Sequence, residues 1–361
     1  MGEGLPIALS HKEFLEASRD NEKAADVINL IYIKDSEQGI SRIRKGKSFY
    51  YQSGQKKIKN KSDLDRIKKL VIPPAWENVW ICKFPNGHIQ ATGIDVRKRK
   101  QYKYHPLWNV LRGETKFHHL YEFGKLLPQL RLKMQEDISS KSLTREKVLA
   151  TVLSLMERTY IRVGNNGYEK MNGSYGLTTL KDKHVAISGD KIIFSFTGKK
   201  GIHHDVTLKN KKLANIVKQC RDIPGKELFQ YYDDEGNRRP IDSGMVNDYI
   251  KSATGKDFTA KDFRTWAGSL HALEELQSFG EAVTEQARKK NILAMLEEVS
   301  RKLGNTKTVC KKYYVHPGII QLYEEGKLLK YLQEIDSIEK NDTKSGLSAS
   351  EEILMRVLIK K

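Results

Sequence analysis

The pattern of the chain changes at Pro106, and this change constrains the fold more than any other feature of the 361 residues. From about Ile28 to Tyr104, short apolar or aromatic runs alternate with turn residues such as Gly46 and the string Pro85-Asn86-Gly87. Runs of this length, bounded by Gly, Pro and Asn, are typical of strands. The pattern therefore predicts a small β-rich N-terminal domain covering residues 1–105.

Beyond Pro106 the spacing of apolar residues becomes helical. Five of them recur at intervals of three and four and predict one buried helix face, namely Val148, Leu149, Val152, Leu153 and Met156. We expect this helix to continue into residues 160–162.

Three short strands are predicted at 183–188, 191–197 and 202–208, joined by tight turns, and helical pattern resumes at Lys211. The prediction is an α+β protein. A larger, mainly α-helical domain with a three-stranded antiparallel sheet spans 106–330, and a helical or loose extension spans 331–361.

The charge balance indicates the kind of partner. Lys and Arg number 64 against 45 Asp and Glu, which leaves a net charge of +19. Such a surplus favours a polyanion, either nucleic acid or an anionic membrane surface. A mean hydropathy of −0.59 argues against the membrane.

The expected location follows from the cysteines and the start of the sequence. Only three cysteines occur, without a CxxC pair, which argues against zinc and against a disulfide scaffold. The first residues do not resemble a secretory signal. We expect a cytoplasmic protein associated with chromosomal DNA.

A basic tract closes the β-rich region. Its basic residues are followed by and interleaved with two tyrosines, and the residues expected to contact DNA are Arg97, Arg99, Lys100, Gln101, Tyr102 and Tyr104. The tract can be a solvated face or a localisation-like run, but interleaved aromatic and basic residues favour contact with DNA phosphates.

Two strings near the C-terminal third suit attack on a phosphodiester. Arg264 stands at the predicted start of a helix, and Tyr313-Tyr314 follow a polar turn at 303–308. A guanidinium offers a planar set of donors to phosphate oxygens, and a tyrosine offers an oxygen nucleophile. Taken singly, Arg162 beside a Gly/Asn turn and Lys199 at a hairpin tip are ordinary solvated cations.

Other chemistries find little support in the sequence. His203-His204-Asp205 suggests a metal, but neighbours on a strand point to opposite faces, so the two imidazoles cannot easily share one ion. No GxGxxG and no GxxxxGK[ST] string occurs. We expect no metal, no cofactor and no requirement for ATP.

Seven strings of the sequence form a recognisable set, at 73–76, 91–95, 99–102, 161–164, 176–181, 196–199 and 261–265. In this order they resemble the type IB DNA topoisomerase family, in its small viral and bacterial branch. The resemblance extends from about Ile31 to about Gly318.

The resemblance implies roles for individual residues. Arg162 and Arg264 resemble the two catalytic arginines, Lys199 the general acid on a hairpin, and Tyr314 the nucleophile. Asn305 stands where many members have a histidine, so it would orient and stabilise without titrating. The residues expected to contact DNA, beyond the basic tract, are Tyr168, Thr179, Lys181 and Lys261.

The implied activity is relaxation of supercoiled double-stranded DNA by a monomer. One strand would be cut through a 3′-phosphotyrosine ester and resealed without ATP or metal, while the two domains close around the duplex as a clamp. Two alternatives stay open: a tyrosine site-specific recombinase, whose N-terminal domain would be helical, and a catalytically silent DNA-binding clamp.

Overall fold

The computed structural model describes residues 9–46, 48–280, 282–332 and 346–359. The chain divides into two compact units, Met1–His119 and Leu120–Lys361. Helices and antiparallel sheets occur in both units, which confirms an α+β fold.

The first unit contains a six-stranded sheet. Two helices precede it, α1 (His11–Arg19) and α2 (Asn21–Asp26), and α3 (Lys61–Lys69) lies between its third and fourth strands. The strands are β1 (Ile40–Lys45), β2 (Ser48–Ser53), β3 (Lys56–Lys57), β4 (Glu77–Ile81), β5 (Ile89–Ile94) and β6 (Lys100–Tyr104). Their order is β3-β2-β1-β4-β5-β6, and every pairing is antiparallel.

Two hydrophobic clusters hold this unit together. Ile67 of α3 packs with Ile81 and Ala91 of the sheet. Phe14 of α1 packs in a second cluster with Trp108 and Leu111. The latter two belong to the next helix, α4 (Pro106–Ile138), so the first turns of α4 form part of the N-terminal core.

Three sequence expectations for this unit need correction. The apolar run Ile31-Tyr32-Ile33 near the start of the predicted β region forms no strand, and contributes only an isolated bridge from Ile31 to Gly87. Helices α1 and α2 precede the β region, and α3 interrupts it. Helix α3 escaped prediction because its residues are mostly polar and its boundary depends on a single cap, the Asn60 side chain, which accepts from the Ser62 amide.

The second unit is mainly helical. After α4 come α5 (Arg145–Thr159) and α6 (Asn166–Asn172), and then a sheet of β7 (Val185–Ser188), β8 (Lys191–Thr197) and β9 (His203–Lys209). There follow α7 (Lys211–Asp222), the hairpin β10 (Gln230–Tyr232) and β11 (Arg238–Pro240), α8 (Ser243–Thr254), α9 (Ala260–Ser278) and α10 (Glu285–Leu303). The last helices are α11 (Lys307–Tyr313), α12 (Pro317–Glu324), α13 (Leu328–Leu332) and α14 (Ala349–Ile359).

The predicted three-stranded antiparallel sheet is confirmed, in the order β7-β8-β9. The five apolar residues predicted for one helix face are all buried in α5. The hairpin β10–β11 was missed, because its strands are only three residues long.

The C-terminal helix α14 packs against α9 and α12. Residues 333–345 and 360–361 of the predicted extension lie outside the described residues. Among the residues that the structure describes, no helix is long and apolar enough to span a membrane.

Candidate active site

Arg162 is placed by a change of direction at the end of α5. The helix stops at Thr159 because Tyr160 adopts the left-handed conformation with φ 57°, so the helix does not continue into Arg162 as the sequence suggested. The Arg162 carbonyl then accepts from the Leu177 amide at 2.9 Å. This close approach requires a glycine at position 176, because a Cβ there would lie only 2.6 Å from the Arg162 oxygen.

Arg264 comes from the second turn of α9. Asp262 fixes the start of this helix by accepting from the Thr259 amide at 2.8 Å and from its hydroxyl at 3.0 Å. The Arg264 side chain is only 5% exposed. It donates to the main-chain oxygens of Tyr160 and Leu303, the latter at 2.7 Å.

The C-terminal end of α10 holds both arginines. Nη2 of Arg162 donates to the Gly304 oxygen at 3.0 Å, next to the Leu303 oxygen that Arg264 binds. The last carbonyls of a helix lack partners within the helix and form its negative end, so they attract cations. Gly304, at φ +59°, provides the left-handed cap that turns these carbonyls toward the site.

Asn305 follows this cap and joins the arginines. Its Oδ1 accepts from Nη2 of Arg162 at 2.6 Å. Its Nδ2 is buried and has no hydrogen-bond partner among the described residues. The amide therefore orients Arg162 with one atom and keeps a donor for a bound ligand with the other.

Tyr314 faces this cluster from the end of α11. The Arg264 guanidinium carbon lies 5.5 Å from the centroid of its ring. Helix α11 ends at Tyr313, and Tyr314 is its C-cap with φ −131°. Tyr313 is 46% exposed, whereas Tyr314 is half-buried.

Helix α9 also anchors the backbone of Tyr314. The Ser269 hydroxyl donates to the Tyr314 oxygen at 3.1 Å and accepts from the His316 amide at 3.0 Å. At Gly268 a Cβ would lie 2.7 Å from the same oxygen, so only glycine lets the two segments approach this closely. One helix thus supplies Arg264 and positions the tyrosine.

Burial shapes the electrostatics of the cluster. It lowers the pKa of Arg162, while the nearby Tyr314 opposes that shift. Burial, followed by the charge of Arg162, lowers the pKa of Arg264. The two guanidiniums thus hold positive charge in a desolvated place, and this charge would favour a phenolate or a phosphate beside it.

Lys199 is not part of this cluster in the structure. It lies in the exposed turn between β8 and β9, with its Nζ 5.8 Å from the centroid of the Tyr168 ring. Lys200, next to it, has φ 65° and makes the turn tight. The fold thus brings together four of the five catalytic candidates, Arg162, Arg264, Asn305 and Tyr314, and leaves Lys199 in the turn of a hairpin.

The other predicted DNA contacts of this unit differ in exposure. Lys261 and Tyr168 are exposed. Thr179 is 1% exposed, and its hydroxyl bonds to the backbone of Gly176, in the loop that supports Arg162. Lys181 pairs with Glu169 at 2.9 Å and with Glu227 at 3.0 Å.

The basic tract of the first unit is partly neutralised by acids. Asp95 accepts from the amides of Arg97 and Arg99 and from the side chains of Arg99 and Gln101, each at 2.9 Å. Lys100 pairs with Asp35 at 2.6 Å. Arg97 is exposed and has no acidic partner among the described residues.

The aromatic residues of this tract are paired. Tyr102 and Tyr104 stack at 5.8 Å between ring centroids on the edge strand β6, and both are exposed. The tract therefore presents two stacked phenol rings together with one guanidinium that lacks an acidic partner.

Sequence reasoning missed His204 as part of this neighbourhood. Its place in the sequence suggests only a metal ligand beside His203. The structure places the two rings on opposite faces of β9, with His203 exposed and His204 half-buried and stacked on Phe196 at 5.1 Å. Within the described residues, no group of three or more His, Cys, Asp or Glu is arranged to hold a metal ion.

Two family models match this chain. A family model described as "Eukaryotic DNA topoisomerase I, catalytic core" matches residues 105–342. A second, "Bacterial DNA topoisomerase IB, N-terminal domain", matches residues 48–95.

Individual relatives point the same way. The DNA topoisomerase 1B of Acanthamoeba polyphaga mimivirus is 36% identical over 296 residues, which cover 80% of this chain and 88% of the viral one. That of vaccinia virus strain Copenhagen is 23% identical, covering 66% and 73%. The DNA topoisomerase 1 of Mycosarcoma maydis is 25% identical, covering 56% and 23%. Because these matches agree over most of its length, the chain belongs to the type IB DNA topoisomerase family.

Proposed function

We propose that this protein relaxes supercoiled double-stranded DNA by cutting and resealing one strand through Tyr314. The observation that carries this proposal is the position of the Tyr314 ring beside the buried guanidinium of Arg264. The half-buried Arg162 and the Asn305 amide, whose Nδ2 has no partner among the described residues, belong to the same cluster. A phosphodiester placed there would meet an oxygen nucleophile on one side and cationic donors around its nonbridging oxygens.

The chemistry follows from these groups. A tyrosine has a solution pKa near 10, so its phenol is protonated at neutral pH and a modest nucleophile. Arg162 and Arg264 favour the developing phenolate and hold the extra charge of a five-coordinate phosphorus. The phenol releases its proton to solvent and its oxygen forms the new bond to phosphorus, while the bond to the 5′ oxygen breaks.

The departing 5′ alkoxide needs a proton, and we assign its delivery to Lys199. The ammonium is exposed in the turn between β8 and β9, and its flexible four-carbon side chain can extend toward a bound phosphate. Asn305 would donate from Nδ2 to a nonbridging oxygen and would not transfer protons.

Resealing reverses these steps. The 3′-phosphotyrosine ester retains the energy of the phosphodiester, so the free 5′ hydroxyl can attack it without ATP. While the strand is open, the downstream duplex rotates and releases torsion of either sign. The guanidiniums perform the electrostatic role that Mg²⁺ often has in phosphoryl transfer.

The domains would share the binding of DNA. We propose that residues 1–105 bind the duplex, that 106–330 carry the chemistry, and that both close around DNA as a clamp. Exposed basic residues in each part, such as Arg97 and Lys261, support this. Since all five catalytic candidates lie in one chain, we expect a monomer to be active, and its three buried free thiols suit a reducing cytoplasm that contains chromosomal DNA.

Relaxation of plasmid DNA in EDTA tests the proposal. We expect negatively and positively supercoiled plasmids both to relax without ATP. A strict need for Mg²⁺, or relaxation of one sign only, would contradict it. Recombination between two sites would favour a tyrosine recombinase instead, and binding without any nicking would favour a silent clamp.

A further inference from the structure

The side chain of His204 lies between the two segments that carry Lys199 and Asn305. A Cβ on Gly198, which precedes Lys199, would lie 2.6 Å from Cδ2 and 2.7 Å from Nε2 of the imidazole. A Cβ on Gly304, which precedes Asn305, would lie 2.7 Å from Cε1. One ring therefore packs directly against both backbones, and each contact requires a glycine.

The ring is held by packing and not by hydrogen bonds. It stacks on Phe196 with 16° between the planes, and it makes no hydrogen bond among the described residues. Since Phe196 belongs to β8 and His204 to β9, the stack joins the two strands of the hairpin close to its turn.

The imidazole also faces the charged cluster. Nη1 of Arg162 lies 3.6 Å from the same Cβ position on Gly304 that His204 approaches. Arg162 and Arg264 face the ring from the end of α5 and from α9, and His203 and Asp205 flank it on β9. Burial, then the charges of Arg162 and Arg264, lower the pKa of His204, so the ring is neutral near neutral pH and adds no third cation.

We propose that His204 is a positioning residue that docks the Lys199 hairpin onto the end of α10, next to Arg162 and Asn305. The ring acts through contact, as a flat spacer between Gly198 and Gly304. By fixing the hairpin close to its turn, it limits where the lysine ammonium can reach once DNA is bound. This inference rests on the proposed role of Lys199 as the general acid.

A leaving-group experiment separates positioning of the acid from a general defect. Single-turnover cleavage is measured on two duplexes, one with the ordinary 5′ oxygen and one with a 5′-bridging sulfur, whose thiolate leaves without a proton. Displacing a catalytic group by about 1 Å can cost on the order of 10²-fold in rate. We expect His204→Ala to lose about that much on the oxygen substrate and to cleave the sulfur substrate at close to the wild-type rate.

Three further variants sharpen the test. His204→Phe keeps the stack and the spacer and should cleave nearly as the wild type. Gly198→Ala pushes a methyl group into the ring and should slow cleavage of the oxygen substrate but not of the sulfur substrate. It tests the same contact if His204→Ala does not fold. His203→Ala is the matched control, because the neighbouring ring is 58% exposed and faces away from the cluster.

The outcomes distinguish this inference from the proposed function. If Lys199→Ala is rescued by sulfur while His204→Ala and Gly198→Ala are slowed equally on both substrates, the docking role is refuted and the general acid stands. Normal rates for both variants, or a His204→Phe as slow as His204→Ala, would also refute it. If sulfur fails to rescue Lys199→Ala itself, the general-acid assignment is refuted, and the docking role fails with it.

Discussion

Replacing Glu351 by alanine should destabilise the second unit, Leu120–Lys361, by an amount that the contacts of Glu351 determine. The carboxylate is 3% exposed and lies on the C-terminal helix α14. It accepts from Arg131 at 2.7 and 2.9 Å, from the Trp266 indole at 3.0 Å and from the Ser348 amide at 2.9 Å. This one side chain thus connects α14 with α4 and α9.

The magnitude follows from what is left unpaired. Removing one partner of a buried ion pair costs about 3–5 kcal/mol. Arg131 would keep its second carboxylate, Glu157, at 2.7 Å. The lower end of that range, about 3 kcal/mol, is therefore expected, and for a unit of this size it corresponds to a fall in Tm of about 6–12 °C.

Thermal denaturation of the full chain measures this effect. Glu351→Gln keeps the shape of the side chain and one acceptor oxygen, so its Tm should fall less than that of Glu351→Ala. Glu285→Ala is the control, because the Glu285–Lys289 pair has side chains 73% and 67% exposed, and its loss should leave Tm unchanged within error. A fall in Tm for Glu351→Ala no larger than that of the control would refute the view that this carboxylate fastens α14.

Three other results are expected. Asn305→Ala removes the partner of Arg162 and a buried donor, so it should slow single-turnover cleavage on the order of 10²-fold, as loss of an oxyanion donor does. Asn305→His should retain more of the cleavage rate. An undiminished rate for Asn305→Ala would contradict the assignment. Arg97→Gln should reduce the slope of log affinity for duplex DNA against log salt concentration by about 0.9. Lys98→Gln is the control and should change this slope less, because Lys98 pairs with Glu77 at 2.7 Å. Equal slopes for Arg97→Gln and the wild type would show that the tract is a solvated face. The pKa values of the histidines at 88, 105, 184 and 204 are lowered, chiefly by burial. The unfolded chain therefore binds more protons than the folded one below about pH 6.5, and the free energy of unfolding should fall as the pH drops from 7 to 5.5. Urea midpoints that stay constant over that interval would contradict this prediction.

The sequence was sufficient for elements that have a strong local pattern. The five apolar residues of α5 recur at helical spacing, and all are buried. The strands β7, β8 and β9 are bounded by Gly189-Asp190 and by the turn at 198–201, so their pairing could be predicted. Both cases depend on neighbours in the chain.

Contacts between distant segments could not be predicted in this way. The bond from Arg162 to Asn305 spans 143 residues, and the resemblance to a family, not the spacing, suggested that these residues meet. His204 looked like half of a poor metal pair, because nothing near it in the sequence reveals that Gly304 packs against its ring. Thr179 was expected on DNA, and only the folded loop reveals its bonds to Gly176.

Identification of the residue joined to DNA after trapping tests the central claim most directly. A cleavage reaction is stopped with denaturant, the complex is digested with protease and nuclease, and the modified peptide is sequenced by mass spectrometry. We predict a 3′-phosphate ester on Tyr314, with no adduct from Tyr314→Phe and a normal one from Tyr313→Phe, because Tyr314 lies beside Arg264 and Tyr313 is 46% exposed. An adduct on Tyr313, or on any other residue, would contradict the account.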